Sequence, residues 1–215
     1  MKSVFKYVAL LLAGLCISVS CNGNGKASGD IKIKREKQMT TDNNQEKVLI
    51  VFFSHAGENY DVGNVKVGNT KLVADEIQRL TGGDEFEIVA EKSYDMPYSA
   101  LTKLAKEESE KNEKPTFKGE VKDMDQYTTV FVGGPIWWGT YPQVMFTFFD
   151  KYDLNGKTVI PFSTHEGSGL GSVVSDLKQL YPDANFKTAF SIYGHECRKD
   201  MSKVDKWLKE LGYKR

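Results

Sequence analysis

The sequence predicts a three-layer α/β sandwich, in which a five-stranded parallel sheet is covered by helices on both faces. Three observations carry this reading. Short apolar runs recur through the second three-quarters of the chain, at residues 48–53, 85–89, 128–132, 158–162 and 186–193. Stretches with apolar residues at helical spacing lie between them. The first run, Val-Leu-Ile-Val-Phe-Phe, is hydrophobic without interruption, which implies burial on both faces, as in a parallel sheet. Strands alternating with helices in this way pack as an α/β sandwich.

The elements follow in order. After the strand at 48–53, Val73, Ile77 and Leu80 fall on one helical face, closed by Gly82-Gly83. Residues 85–89 alternate polar and apolar, as expected of a more peripheral strand. Leu101, Leu104 and Ala105 begin a second helix, whose charged end at 106–114 reads as a solvated face. The strand at 128–132 is followed by a helix bearing Val144, Phe148 and Tyr152. The strand at 158–162 is followed by one bearing Val173, Leu177 and Leu180. After the last strand, Val204, Trp207, Leu208 and Leu211 mark a closing helix. No internal repeat is present.

Of the 215 residues, the first twenty read as a secretory signal: Lys2 and Lys6, then an apolar run at 7–19 too short to span a bilayer comfortably. The signal ends in Ser18-Val19-Ser20-Cys21, which resembles a bacterial lipoprotein signal and makes Cys21 the expected lipid acceptor. Residues 21–46 form the lipidated N-terminus and a polar tether; 25 such residues reach roughly 25–30 Å. This places the folded domain, residues 47–215, at the bacterial cell envelope, facing the periplasm or the cell surface. Its 169 residues suit one domain. Of the 29 basic residues, Lys2 and Lys6 leave with the signal, so 27 basic face 29 acidic residues. That balance gives no reason to expect nucleic acid as a partner. Cys197 is the single cysteine of the folded domain, which excludes an internal disulfide and reads as inert packing.

In open α/β sheets ligands bind beyond the carboxyl ends of the strands, which directs attention to three loops. The first strand runs into Ser54-His55-Ala56-Gly57, and a helix begins near Gly68-Asn69-Thr70. Hydroxyls and a helix N-terminus suit a phosphate, although Asn69 and Thr70 also read as simple helix caps. No P-loop lysine is present, which disfavours nucleotide triphosphate hydrolysis. The third strand leads to Gly133-Gly134-Pro135-Ile136-Trp137-Trp138-Gly139. Two adjacent indoles on a turn do not both fit one core, so at least one is expected to be displayed as a face for a flat ligand. The fourth strand leads to Ser163-Thr164-His165-Glu166-Gly167-Ser168-Gly169-Leu170-Gly171, where glycines let the backbone approach a ligand closely. Phosphate, aromatic faces and polar backbone at a ring edge together describe flavin mononucleotide (FMN).

On these residues the segment from about Val48 to Leu211 resembles the flavodoxin-like family, the Pro-Ile-Trp-Trp-Gly stretch being the most specific match. The resemblance implies a doubly wound sheet of order 2-1-3-4-5, with FMN as cofactor and the flavin doing the chemistry. It assigns Ser54, Asn69 and Thr70 to the phosphate, with His55 and Gly68 beside them. Pro135, Ile136, Trp137, Trp138 and Gly139 face the isoalloxazine, and Thr164, His165, Glu166, Gly167, Ser168 and Gly169 face its other side and edge. It also implies that the loop peptide at Gly139 flips to hydrogen-bond flavin N5 on reduction. Residues 58–67 depart from the family pattern: they interrupt the phosphate loop and bring Glu58 and Asp61 towards a dianion.

The expected function is an envelope-tethered, FMN-binding redox protein. Its partner is a redox protein or a small quinone-like acceptor. Two rivals stand beside it. One is a binding module of the same fold without turnover. The other is a metal site built from His55, His165 and His195. With strand order 2-1-3-4-5, the first and fifth strands lie roughly 14 Å apart, which disfavours a shared metal.

Overall fold

The computed structural model describes residues 46–213; the signal sequence, Cys21 and nearly all of the tether lie outside the described residues. Five parallel strands form the main sheet: β1 (Val48–Phe52), β2 (Asp84–Glu87), β3 (Thr129–Pro135), β4 (Thr158–His165) and β5 (Phe190–Tyr193). Their order is β2-β1-β3-β4-β5, as the sequence led us to expect. The register pairs Ile50 with Glu85 on one side of β1 and with Phe131 on the other. Five longer helices cover the sheet: α1 (Asn69–Thr81), α2 (Tyr98–Lys111), α3 (Gln143–Lys151), α4 (Val173–Leu180) and α5 (Ser202–Glu210), with one further helical turn at Gly194–Cys197.

Because side chains alternate across a strand, each central strand feeds two cores. Val48, Ile50 and Phe52 pack with Val73 and Ile77 of α1 and with Val204 and Leu208 of α5. Leu49, Val51 and Phe53 pack on the opposite side with Leu101 of α2, Val144 and Phe148 of α3 and Leu177 of α4. All five β1 residues are buried, which accounts for the uninterrupted apolar run.

Several expectations need correcting. The peripheral strand stops at Glu87, and Val89–Ala90 leaves the sheet to pair antiparallel with Phe117–Lys118. The run at 186–193 is broken: Asn185–Phe186 and Phe190–Tyr193 both pair with β4, with Lys187, Thr188 and Ala189 between them. β3 and β4 run further than expected, so Gly133-Gly134-Pro135 and Ser163-Thr164-His165 are strand. Gly133 is there for close packing, since a Cβ at that position would collide with the Phe162 ring.

The charged end of α2 is not wholly solvated. Glu108 is 1% exposed, paired with Lys92 and accepting a hydrogen bond from the Tyr94 hydroxyl at 3.1 Å. At the other end of the domain, Glu46 belongs to the fold rather than to the tether. Its carboxylate accepts from Thr129 Oγ1 at 2.6 Å and from the Tyr213 hydroxyl at 2.8 Å.

Residues 58–67, expected only as an interruption, contain a β-hairpin with antiparallel strands Gly57–Asn59 and Gly63–Val65. Asp61 takes a positive φ of 57° in the turn between them. No helix of the described residues is long and apolar enough to cross a membrane.

Candidate functional site

A cleft of about 330 Å³ opens beyond the carboxyl ends of β1, β3 and β4. Strands end there because their sequence turns from apolar runs to glycine and hydroxyl residues, freeing backbone and polar side chains at one edge of the sheet.

At one end of the cleft stands the start of α1. Gly68 is the N-cap and offers no side-chain hydrogen bond, so Asn69 and Thr70 are the first two helical residues rather than caps. Ser54 supplies part of the missing cap, its Oγ accepting from Lys71 N at 3.0 Å. A hydroxyl can accept and donate at once, so the Ser54 proton remains for a ligand. A Cβ at Gly68 would collide with Ser54 Oγ and the His55 carbonyl, so the cradle needs glycine. Thr70 and Thr164, both buried, share a hydrogen bond of 2.8 Å that joins α1 to β4. The first-turn N–H groups of α1 have no helical acceptor and carry the positive end of the helix dipole.

The second wall comes from the turn after β3. Trp137 N donates to Thr140 O at 2.8 Å, and the two central residues, Trp138 and Gly139, have φ of 52° and 90°. This tight turn sends the indoles in different directions. Trp137 is half-buried, edge-on to Phe53 at 5.4 Å and Tyr94 at 5.3 Å, and plugs the end of one core. Trp138 is 55% exposed. Its Nε1 donates to the Thr102 carbonyl of α2 at 2.9 Å, and Lys106 Nζ lies 5.3 Å from its ring. One indole is therefore a core plug and the other a displayed face.

The third wall is the end of β4 and the loop beyond it. Thr164, His165, Glu166 and Ser168 line the cleft. Gly167 N donates to His165 Nδ1 at 2.9 Å, and Ser163 Oγ donates to Gly169 O at 2.8 Å. Ser172 N donates to Gly139 O at 2.8 Å, locking this loop onto the tryptophan turn.

Of the residues assigned from the sequence, His55, Asn69, Thr70, Pro135, Ile136, Trp137, Trp138, Thr164, His165, Glu166 and Ser168 line the cleft. Ser54, Gly68, Gly139, Gly167 and Gly169 are not among the residues that line it. Burial lowers the pKa of both His55 and His165, although Asp95 opposes this for His55 and Glu166 for His165. His55 Nε2 is buried without a partner.

The three histidines do not converge as a metal site. His55 packs edge-on against Trp137 at 5.9 Å, whereas His165 sits with Tyr193, and Tyr193 with His195. Among the described residues the one group with metal-like spacing is Asp61, Glu166 and His195. Within it the Glu166 carboxylate is already engaged, accepting from His195 Nδ1 at 2.6 Å and from His195 N at 2.9 Å.

The sequence reading missed a fourth wall. Tyr98, Leu101, Thr102 and Ala105 of α2 line the cleft as an i, i+3, i+4, i+7 stripe. Asn59 and Tyr60 of the hairpin join them. The one available signal was Tyr60, the lone aromatic among residues 58–67. Glu58 does not point its charge at the α1 end: its carboxylate accepts from Tyr98 N at 2.7 Å, at the start of α2. Arg198 was also missed; it donates to Val67 O and to Asn69 Oδ1, tying the hairpin's return to the head of α1.

The sequence model of the flavodoxin family matches residues 47–211. Among solved structures, the chain is similar to a candidate flavoprotein from Bacteroides eggerthii at 28% identity and TM-score 0.61, over 78% of this chain and 99% of that one. It is similar to a candidate flavoprotein from Bacteroides uniformis at 25% identity and TM-score 0.61, over 76% of this chain and 98% of that one. A flavoprotein from Lactobacillus acidophilus, solved in complex with FMN, shares the fold at 23% identity and TM-score 0.55, over 75% of this chain and 98% of that one. Sequence comparison with curated proteins gives no match.

Proposed function

The chain belongs to the flavodoxin family, and we propose that it is an FMN-binding redox protein tethered to the cell envelope. The observation that carries this reading is the convergence of three strand-end loops and the head of α1 on one cleft. Each contributes what one part of FMN requires. Asn69, Thr70, Ser54 and the first-turn N–H groups of α1 other than that of Lys71, which Ser54 accepts, offer neutral donors and a helix dipole to the phosphate. Trp138 presents an aromatic face, and Thr164 and the loop from His165 to Gly169 offer polar groups to the ring edge. Bound there, the flavin would supply one- or two-electron chemistry, with the protein tuning it by stacking and hydrogen bonds.

The residues also limit what can move. Ser172 holds the Gly139 carbonyl, so only the peptide between Trp138 and Gly139 is left to turn towards a bound ring. The rival reading of a binding module leaned on the acidic insertion, and Glu58 is spent on α2 instead. Electron transfer to a protein and reduction of a small quinone or flavin are both compatible with an FMN site.

Tethering rests on the sequence of residues 1–46, with Cys21 as lipid acceptor. Two measurements test the proposal. Titration of the flavin-free protein with FMN is expected to quench flavin fluorescence at one FMN per chain; no saturable quenching would contradict the cofactor. Cys21→Ser is expected to move the protein from the membrane to the soluble fraction; retention in the membrane would contradict the anchor.

A further inference from the structure

His55 is 8% exposed, yet its Nε2 is buried with no hydrogen-bond partner. An orphaned polar atom costs free energy until a ligand or water completes it. The place of His55 in the fold says which part of a ligand that would be. Its carbonyl lies 2.5 Å from the point where a Cβ of Gly68 would stand, so the residue packs on the N-cap of α1. Its ring lines the cleft together with Asn69 and Thr70, the first two residues of that helix. The residue also lines a second groove of about 350 Å³ at the carboxyl ends of β1 and β2. That groove gives a proton a route to the ring that does not pass through the cleft.

The groups around the ring leave it neutral in the empty cleft. Trp137, from the turn after β3, packs edge-on at 5.9 Å. Glu58 of the hairpin acts on the ring through its backbone, and Asp95, between β2 and α2, acts as a charge. Burial outweighs both and lowers the histidine's pKa. From α1 the ring meets the uncharged Asn69 and Thr70. Cations near the head of that helix are already engaged: Lys71 Nζ with Asp75 and Glu85, and Arg198 with Val67 O and Asn69 Oδ1. No lysine or arginine lines the cleft, and Glu166 adds an acid. A phosphate dianion at this end therefore meets one group placed to gain a positive charge. Nearby negative charge favours the imidazolium, in which both ring nitrogens donate. His165, the other histidine of the lining, stands at the end of β4 against Tyr193, with Nδ1 taken by Gly167 N.

We propose that His55 is a proton-linked anchor for the cofactor phosphate: neutral in the empty cleft, it takes up a proton from solvent when a phosphorylated flavin is seated. This rests on the FMN reading above and adds to it a regulation that neutral donors alone do not give. The complex holds more protons than its separated parts over the range between the ring's values in the empty and the filled cleft. FMN affinity is therefore highest on the acid side of that range and is lost towards the alkaline side. Riboflavin, without a phosphate, draws no proton.

The test is calorimetric titration of the flavin-free full-length protein with FMN and with riboflavin, at about pH 7 and about pH 9, in two buffers of different ionisation enthalpy. Both values lie above the second pKa of a phosphate monoester, about 6, so the proton counted belongs to the protein. At the lower pH, FMN binding is expected to take up at least about 0.3 proton per chain and riboflavin binding none. FMN affinity is expected to fall at least about fivefold at the higher pH. His55→Gln is expected to abolish the uptake and the pH dependence, and His165→Gln to keep both. Smaller uptake by the unsubstituted protein would overturn the anchor, whether or not the variants fold. Uptake that survives His55→Gln, disappears in His165→Gln or accompanies riboflavin equally would overturn it too. Failure of the unsubstituted protein to bind FMN at either pH is a separate readout, and would remove the cofactor reading together with the anchor that depends on it.

Discussion

Trp138 Nε1 donates to the Thr102 carbonyl at 2.9 Å, so the turn after β3 is anchored to α2 across the cleft. The bond holds an exposed indole in one orientation, which a free side chain on a turn would not keep. Its neighbour Trp137 does a different job, packing on Phe53 and Tyr94. The two tryptophans should therefore separate experimentally. Trp138→Ala is expected to weaken FMN binding about two- to tenfold with little change in stability, because one stacking face is worth about 0.5–1.5 kcal/mol. Trp137→Ala is expected to destabilise the fold by about 2–4 kcal/mol. Flavin titration and denaturant unfolding of both variants check the assignment; the reverse pattern would exchange their roles.

Gly68 tests the phosphate seat. A Cβ there meets Ser54 Oγ and the His55 carbonyl, so the loop must shift away from the head of α1. Gly68→Ala is expected to lower FMN affinity at least about tenfold while changing riboflavin affinity much less. Riboflavin lacks the phosphate, so equal losses for both flavins would mean that the seat lies elsewhere.

Glu58 distinguishes two views of the hairpin. If its charge faced the cofactor phosphate, Glu58→Gln would tighten FMN binding. The carboxylate instead caps the start of α2 at Tyr98 N. Glu58→Gln is therefore expected to leave FMN binding no tighter and to cost about 0.5–1 kcal/mol of stability, read as a lower unfolding midpoint.

Burial lowers the pKa of His55 and His165 in the folded protein, and unfolding returns them to ordinary values. Over the range between the two values the unfolded chain binds more protons, so stability rises with pH and falls on acidification. The unfolding midpoint is expected to drop as pH is lowered through about 6.5 and below, the ordinary histidine range. His55→Gln is expected to flatten that drop. An unchanged slope would show that the His55 ring is not held neutral by its surroundings.

The sheet was legible because buried parallel strands leave uninterrupted apolar runs, and residues 48–53 display one. Strand ends were less so. Gly133-Gly134-Pro135 looks like turn composition, yet Gly133 is in the strand to clear the Phe162 ring, a contact between residues 29 positions apart. The displayed indole could be expected from two adjacent tryptophans, but which of them it was depended on a turn with positive φ at Trp138. The α2 wall was hidden because Tyr98, Leu101, Thr102 and Ala105 sit on a helix whose charged residues dominate its composition. The hairpin was hidden because its pairing is antiparallel and three residues long on each side, too short for a periodic signal. Glu58 reads as a threat to a phosphate until its partner, forty residues away, is known.

The central claim is that this cleft holds FMN. The most direct measurement is the visible spectrum of the purified protein, followed by mass analysis of whatever denaturation releases. The account predicts yellow protein that releases FMN at one per chain, or colourless protein that takes up one FMN on reconstitution. Protein that is colourless and gains no flavin absorbance after incubation with excess FMN and removal of the unbound cofactor would contradict it.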